Sequence, residues 1–157
     1  MSKKKQRNIE LFIVDVFVAM HQLEEYTSTF SNQDDFRHSN LHWDASIRQL
    51  EIIGEALNKL LENENFSRIS PKYFRKIVNF RNVISHGYFG IDVDEVWNVI
   101  NEKLSPLNED LEKIVAKEID LSEAIDTEQE AYRLLGDSLI VQFLKELQRK
   151  LTEVHNV

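Results

Sequence analysis

The chain contains no cysteine among its 157 residues, only 2 proline and only 4 glycine. The missing cysteine excludes disulfides, thiolate nucleophiles and Cys-ligated zinc, and fits a reducing, cytoplasmic setting. So little proline and glycine leaves few turn signals for a fold of many short strands. No run approaches the ~18 apolar residues of a membrane span. The basic start, Met1 to Lys5, is followed by a segment that Glu10 and Asp15 interrupt and that has no small-residue cleavage site. A signal peptide is therefore not expected. The formal net charge of −8 argues against broad, nonspecific coating of nucleic acid.

One further absence is local. From Asn65 to Ile91 there is no Asp or Glu, while Arg68, Lys72, Arg75, Lys76 and Arg81 all fall in that window. A basic stretch inside an acidic chain can draw a polyanion to one place. Equally, it can be no more than a solvated face. Tyr73, Phe74 and Phe80 are interleaved with these cations. The spacing assigns most of them to the core, and an exposed one would be able to stack on a base.

What is abundant is helical. Ile9, Phe12, Ile13, Val16, Phe17, Met20 and Leu23 recur at three and four, which predicts an amphipathic helix from Arg7 to Tyr26. Residues 27–40 read as a polar connection that Phe36 pins to the core. A second helix is expected from Asn40 to Asn63. Gly54 inside it costs ~1 kcal/mol relative to Ala, so close approach of another helix is expected there. Ser70-Pro71 reads as cap and first residue of a third helix that ends at Gly87. Asp92 with Glu95 forms a capping box for a fourth, which Pro106 should kink or break. A last helix is expected from Glu128 to Glu153, opened by a Thr127–Glu130 capping box, with a stripe through Ala131, Leu134, Leu135, Leu139, Phe143, Leu147 and Leu151. The expected architecture is all-α, an antiparallel bundle of about five helices, with residues 1–117 as the bundle. Residues 118–157 would be an acidic connection and a C-terminal helix, packed on the bundle or on another chain.

Chemistry gathers in Arg81-Asn82-Val83-Ile84-Ser85-His86-Gly87-Tyr88. Histidine can move protons near neutral pH, and arginine can grip a phosphate and stabilise developing charge. Together they suffice for metal-free cleavage of RNA by its own 2′-hydroxyl. Five residues along a helix is about 500°, so the two side chains start about 140° apart. They converge only if the helix tightens or ends near His86, or if two copies of the chain meet across a two-fold axis. A surface arginine followed by a helix-ending histidine is the plain alternative. Tyr88 either packs over the helix end, contacts substrate or accepts a modification. His38 and His42, four apart beside Asp34, Asp35 and Asp44, have the spacing of a helical zinc pair. They straddle a helix start, however, and lack the glutamate of a zincin pattern, so no metal or other cofactor is expected.

The eight-residue stretch resembles the R-x4-H-x-Y signature of HepT-like toxins, a branch of the HEPN ribonuclease superfamily. The likeness extends to Arg48–Leu60 and to Phe80–Ile100, in order across roughly residues 8–115. It implies an α-helical bundle that dimerises and places two motifs in one cleft. It also implies a metal-independent, cytoplasmic endoribonuclease acting as the toxin of a toxin–antitoxin module. Its antitoxin partner is a minimal nucleotidyltransferase that transfers AMP to the motif tyrosine. On this resemblance Arg81 and His86 are catalytic, Asn82 supports them, and Tyr88 is the AMPylation target. Arg68, Lys72, Arg75 and Lys76 become candidates for RNA contact. A noncatalytic subunit that only docks a nucleotidyltransferase, and a structural dimer with no RNA role, remain open.

Overall fold

The computed structural model describes residues 8–86 and 90–156, and within them the side chains other than those of Val83, Ser85, His86 and His155. The described residues form an all-α fold. Its helices are α1 (Ile9–Thr27), α2 (Gln33–His38), α3 (Asn40–Leu61), α4 (Glu64–Ile69), α5 (Tyr73–His86), α6 (Val93–Asn98), α7 (Leu104–Glu118), α8 (Ser122–Leu134) and α9 (Ser138–His155). A π-helical turn, Val99–Lys103, joins α6 to α7.

Helix α1 is the axis of the packing. Asn8 caps it, its side-chain oxygen accepting from the Leu11 N–H. Val16, Phe17, Val18, Ala19 and Met20 are all buried. Five consecutive residues sweep more than a full turn, so α1 is covered all round at its middle. The expected stripe was therefore too narrow, missing Val14, Val18 and Ala19. Helix α3 lies along one side of α1, while α7, α8 and α9 pack against it elsewhere. Helix α5 in turn packs on α3.

The connection at 27–40 is more ordered than its polarity suggests. Asn32 caps α2 by accepting from the Asp35 N–H. Phe36 is fully buried, with ring centroids 5.4 Å from Trp43 and 5.6 Å from Trp97. One aromatic contact thus ties α2 to α3 and α6. Gln33 adds a 3.0 Å hydrogen bond to Asp94.

Three sequence expectations are corrected, and a fourth takes a particular form. Ser70 does not cap α5. It ends the short α4, and its hydroxyl donates to the Phe66 carbonyl. The next helix opens instead through the N–H groups of Phe74 and Arg75 donating to Pro71 and Lys72 carbonyls. Pro106 interrupts the fourth helix as expected, in the form of the π turn between α6 and α7. It lies in the first turn of α7, just after the π turn. The widened turn there absorbs both the missing N–H and the ring's clash with the carbonyl one turn back. Thr127 does not cap a helix either, since α8 runs through it and its hydroxyl donates to the Glu123 carbonyl. Its expected partner, Glu130, pairs instead with Arg133 at 2.6 Å. Finally, the expected last helix is two helices. Gly136, at φ +75°, turns the chain between α8 and α9, and Asp137 caps α9 by accepting from the Ile140 N–H. The buried face of α9 is Ile140, Leu144, Leu147 and Leu151, whereas Leu134, Leu135 and Leu139 are about three-quarters exposed. Asp92 does cap α6, accepting from Asp94 and Glu95 N–H groups. The helix end expected at Gly87 lies outside the described residues.

Among the described residues no helix is long and apolar enough to cross a membrane.

Tyr73 anchors the start of α5 to α7, its hydroxyl donating to Asp110 at 2.6 Å. Burial, then the hydrogen bond and the charge of Asp110, hold this phenol far above its ordinary range. In the unfolded chain it loses its proton near pH 10, while the folded chain keeps it. The unfolded state therefore binds fewer protons above that pH, and stability must fall as pH rises. We expect the melting temperature of Tyr73→Phe to decline less steeply than that of wild type above about pH 10, measured by circular dichroism. Parallel declines would show that Tyr73 is not the linked group.

Candidate functional site

Arg81 sits just past the middle of α5, where that helix crosses α3. A Cβ built on Gly54 would lie 2.6 Å from the Arg81 Cβ and 3.1 Å from its Cγ. The glycine is thus what lets the arginine stem lie against the α3 backbone. This is the close approach that the otherwise costly glycine predicted. Arg81 is half-buried. Its Nε is sealed from solvent and finds no acceptor among the described residues.

Beyond this stem the side chain lines an open groove of about 650 Å³. The groove runs between α1 and α3. On α1 it is bordered by Phe12, Asp15, Ala19 and Gln22, spaced by three and four along one face. On α3 it is bordered by Gln49, Ile52, Ala56 and Lys59, at the same kind of spacing. Ala19 and Ala56 keep the floor low. Among the described residues Tyr132, from α8, is the one wall residue supplied by the C-terminal hairpin. The charges are mixed, with Asp15 and Glu55 against Lys59 and Arg81. The groove is consequently not a uniform cationic channel. What it offers an anion is one directional donor set on Arg81.

The remaining candidates divide clearly. Asn82 is exposed beside Arg81. The α5 backbone stays helical through His86, so the offset of about 140° between positions 81 and 86 stands along this helix. Nothing further can be placed for the His86 side chain, and Tyr88 lies outside the described residues. Arg68, Lys72, Arg75 and Lys76 are all exposed, and among the described residues none pairs with a carboxylate. Arg75 alone among the four reaches toward the groove, its Nη1 lying 3.5 Å from the Oδ1 of Asn58, a groove residue. Tyr73 and Phe80 are partly buried against the core and Phe74 is fully buried. None of the three is therefore a free stacking platform. His38 and His42 are used locally: His38 Nδ1 lies 2.7 Å from the Asp34 carbonyl and His42 Nδ1 lies 2.7 Å from Ser39 Oγ.

Sequence reasoning missed the groove itself. Its signal was present in Asp15 and Gln22, which share a face of α1 with Phe12 and Ala19. Polar residues recurring at helical spacing beside small ones mark a face that a neighbour does not fully cover.

The sequence profile of the family described as Ribonuclease HepT-like matches residues 17–114. This stretch carries Arg81, Gly54 and most of the groove, but not Tyr132. A Thermococcus cleftensis protein named "Probable ribonuclease HepT" is 32% identical over 110 residues, covering 69% of this chain and 97% of its own. A Methanocaldococcus jannaschii protein named "Putative RNase" is 27% identical over 107 residues, covering 68% of this chain and 96% of its own. A second protein of that organism, named "Gamma-glutamylcyclotransferase and putative RNase", is 32% identical over 112 residues, 70% of this chain. The present chain spans about half of that relative's length (49%). No solved structure matches the chain.

The Gly54–Arg81 contact is open to a direct test. Gly54→Ala should gain about 1 kcal/mol of helix propensity and lose about 1–3 kcal/mol to overpacking against Arg81. The expected net result is a lower melting temperature. A higher one would show that the two helices do not meet as closely as described.

Proposed function

Because the chain belongs to the HepT-like ribonuclease family, we propose that it is a metal-independent endoribonuclease that cuts RNA with Arg81 and His86. The observation that carries this reading is the setting of Arg81. Its stem is locked over Gly54 and its head opens on a groove, at the motif position. A guanidinium held this way is pre-oriented, so little freedom is lost when it grips a phosphate.

In the proposed reaction His86 assists removal of the proton from a ribose 2′-hydroxyl. The 2′-oxygen attacks the adjacent phosphorus, and the bond from phosphorus to the 5′-oxygen breaks. A proton delivered to that oxygen completes the cut. The products are a 2′,3′-cyclic phosphate and a 5′-hydroxyl. Arg81 donates to the nonbridging oxygens, where charge builds in the transition state. Asn82, one position on, supports the pair, and the exposed cations Arg68, Lys72, Arg75 and Lys76 contact flanking phosphates.

The offset between positions 81 and 86 on one regular helix favours a homodimer as the working unit. Two motifs across a dyad then place an arginine of one copy near a histidine of the other. The proposed setting is cytoplasmic, as the toxin of a toxin–antitoxin pair. A minimal nucleotidyltransferase would silence it by transferring AMP to Tyr88. Bulky, charged AMP two residues from His86 would block an incoming phosphate by size and by like-charge repulsion.

In EDTA, wild type should cleave single-stranded RNA to cyclic-phosphate ends. Arg81→Ala and His86→Ala should each lose about 100-fold or more in rate, the usual scale for removing a charge stabiliser or a proton-transfer group. Equal activity in all three proteins, or activity only with added metal, would overturn the mechanism. Retained binding of the nucleotidyltransferase with no RNA cleavage by wild type would favour a noncatalytic docking role. For Tyr88, incubation with the partner and ATP should raise the intact mass by one or more AMP units. Tyr88→Phe should show no such gain.

A further inference from the structure

Glutamines on the described helices divide into two groups. Gln33, Gln129, Gln142 and Gln148 each bond to a neighbouring side chain. Gln22 and Gln49 have no such partner among the described residues. Both are half-buried, and both line the Arg81 groove, one from α1 and one from α3. An amide loses hydration in a partly buried wall, and a partner within the groove offsets that loss.

The two amides stand at one level of the groove. Phe30, just past the end of α1, meets His42 at the start of α3, with ring centroids 5.1 Å apart. The helices pack along their length from this closure, so they run in opposite directions. Counted from it, Gln22 and Gln49 each lie about two turns away. They therefore reach the groove from opposite walls at similar depth. The floor is kept low by Ala19 and Ala56. Gly54, over which the Arg81 stem lies, follows Gln49 by about 7.5 Å along α3. One nucleotide, with its base at one end and its phosphate at the other, bridges such a span. The groove volume of about 650 Å³ is ample for it.

We propose that Gln22 and Gln49 are specificity-determining residues, which together read an unpaired adenine of RNA beside a phosphate held by Arg81. This rests on the reading of the groove as the RNA site. A glutamine amide presents an acceptor oxygen next to a donor nitrogen. Adenine matches that pair on two edges, through N7 with its amino group and through N1 with the same amino group. Its two amino hydrogens let one amide bond each edge at once. Uracil has a single N–H for both amides to share. Cytosine has a ring acceptor on only one side of its amino group. Guanine's second matching edge lies against the ribose. Both adenine edges are open only outside a duplex.

The test uses the full chain and 2′-O-methyl oligouridine, which binds but has no nucleophile, with one central adenosine or one central guanosine. Wild type, Gln22→Met and Gln49→Met are compared by fluorescence anisotropy. Methionine keeps the length of the side chain and removes the amide. Wild type should bind the adenosine oligonucleotide roughly ten-fold more tightly than the guanosine one. Each methionine variant should bring that ratio close to one. Gln22→Asn and Gln49→Asn, which draw the amide back from the groove, should do the same and serve if a methionine variant fails to fold. On cleavable RNA, cuts by wild type should concentrate beside adenosine, and those by the variants should spread. No adenosine preference in wild type overturns the proposal. So does a preference that the variants retain, or an affinity loss equal on both oligonucleotides. Arg81→Ala, assayed for cleavage beside these, separates the two ideas. Wild-type cleavage by that variant ends the reading of the groove as the cutting site. Lost cleavage there, with the adenosine ratio unmoved in the glutamine variants, ends the base-reading proposal alone.

Discussion

A helix buried on most of its circumference must be surrounded, and α1 is that helix. Its middle residues, Val16 through Met20, leave no face for solvent. Burying such side chains contributes roughly 1.5–3 kcal/mol each, so the chain cannot leave any of them uncovered without a large loss. Helix α3 covers one side, with α5 behind it. Helix α7 and the hairpin α8–α9 bring cover to the rest. The strip left partly open carries Asp15 and Gln22 beside Ala19, residues that tolerate water or leave room for it. The groove is thus the remainder after the apolar faces of α1 have been satisfied.

Arg81 enters this remainder through a single permissive position. Any side chain at residue 54 would collide with the arginine stem. Glycine there weakens α3 locally, yet it fixes the depth at which α5 lies and hence where the guanidinium opens. A buried Nε that finds no acceptor among the described residues costs about 1–3 kcal/mol if nothing else satisfies it. Uncompensated costs of this kind cluster where a protein holds a polar group ready for something that is not part of itself. Gly54 and Arg81 accordingly form one device, a hinge-free mount for a charged head, although they lie 27 residues apart in the sequence.

Helix positions were legible in the sequence wherever hydrophobic period and capping agreed. Asn40 opens α3 and Asp92 caps α6 as their patterns predict. Agreement failed where a local signal had two uses. Ser70 can bond forward as a cap or backward to a carbonyl, and the short α4 before it decided for the latter. Thr127 and Glu130 have capping-box spacing, but each is satisfied inside a continuing helix. Leu134, Leu135 and Leu139 extend a stripe on paper, whereas Gly136 reverses the chain within it. Stripe counting cannot see such a reversal, because both helices keep the same period. The site was legible only in part for a related reason. Arg81 and Gly54 each stood out, but the groove joins one face of α1 to one face of α3 and to Tyr132. No window of the sequence contains all three.

The hairpin answers two demands with two different faces. Its buried face, through Ile125, Ile140 and Leu144, is set by the need to cover the bundle, and any well-packed apolar pair of helices would meet that need. Its groove-lining residue, Tyr132, packs at the margin of that core and stays only partly buried. An addition that helps to cover the bundle thereby places an aromatic residue at the edge of the Arg81 groove. In the proposed reaction the family core supplies the arginine and the histidine that act on the phosphate and the 2′-hydroxyl of RNA. Discrimination among RNAs must then come from what surrounds them. In this chain the surroundings include a rigid aromatic wall that the core by itself does not possess.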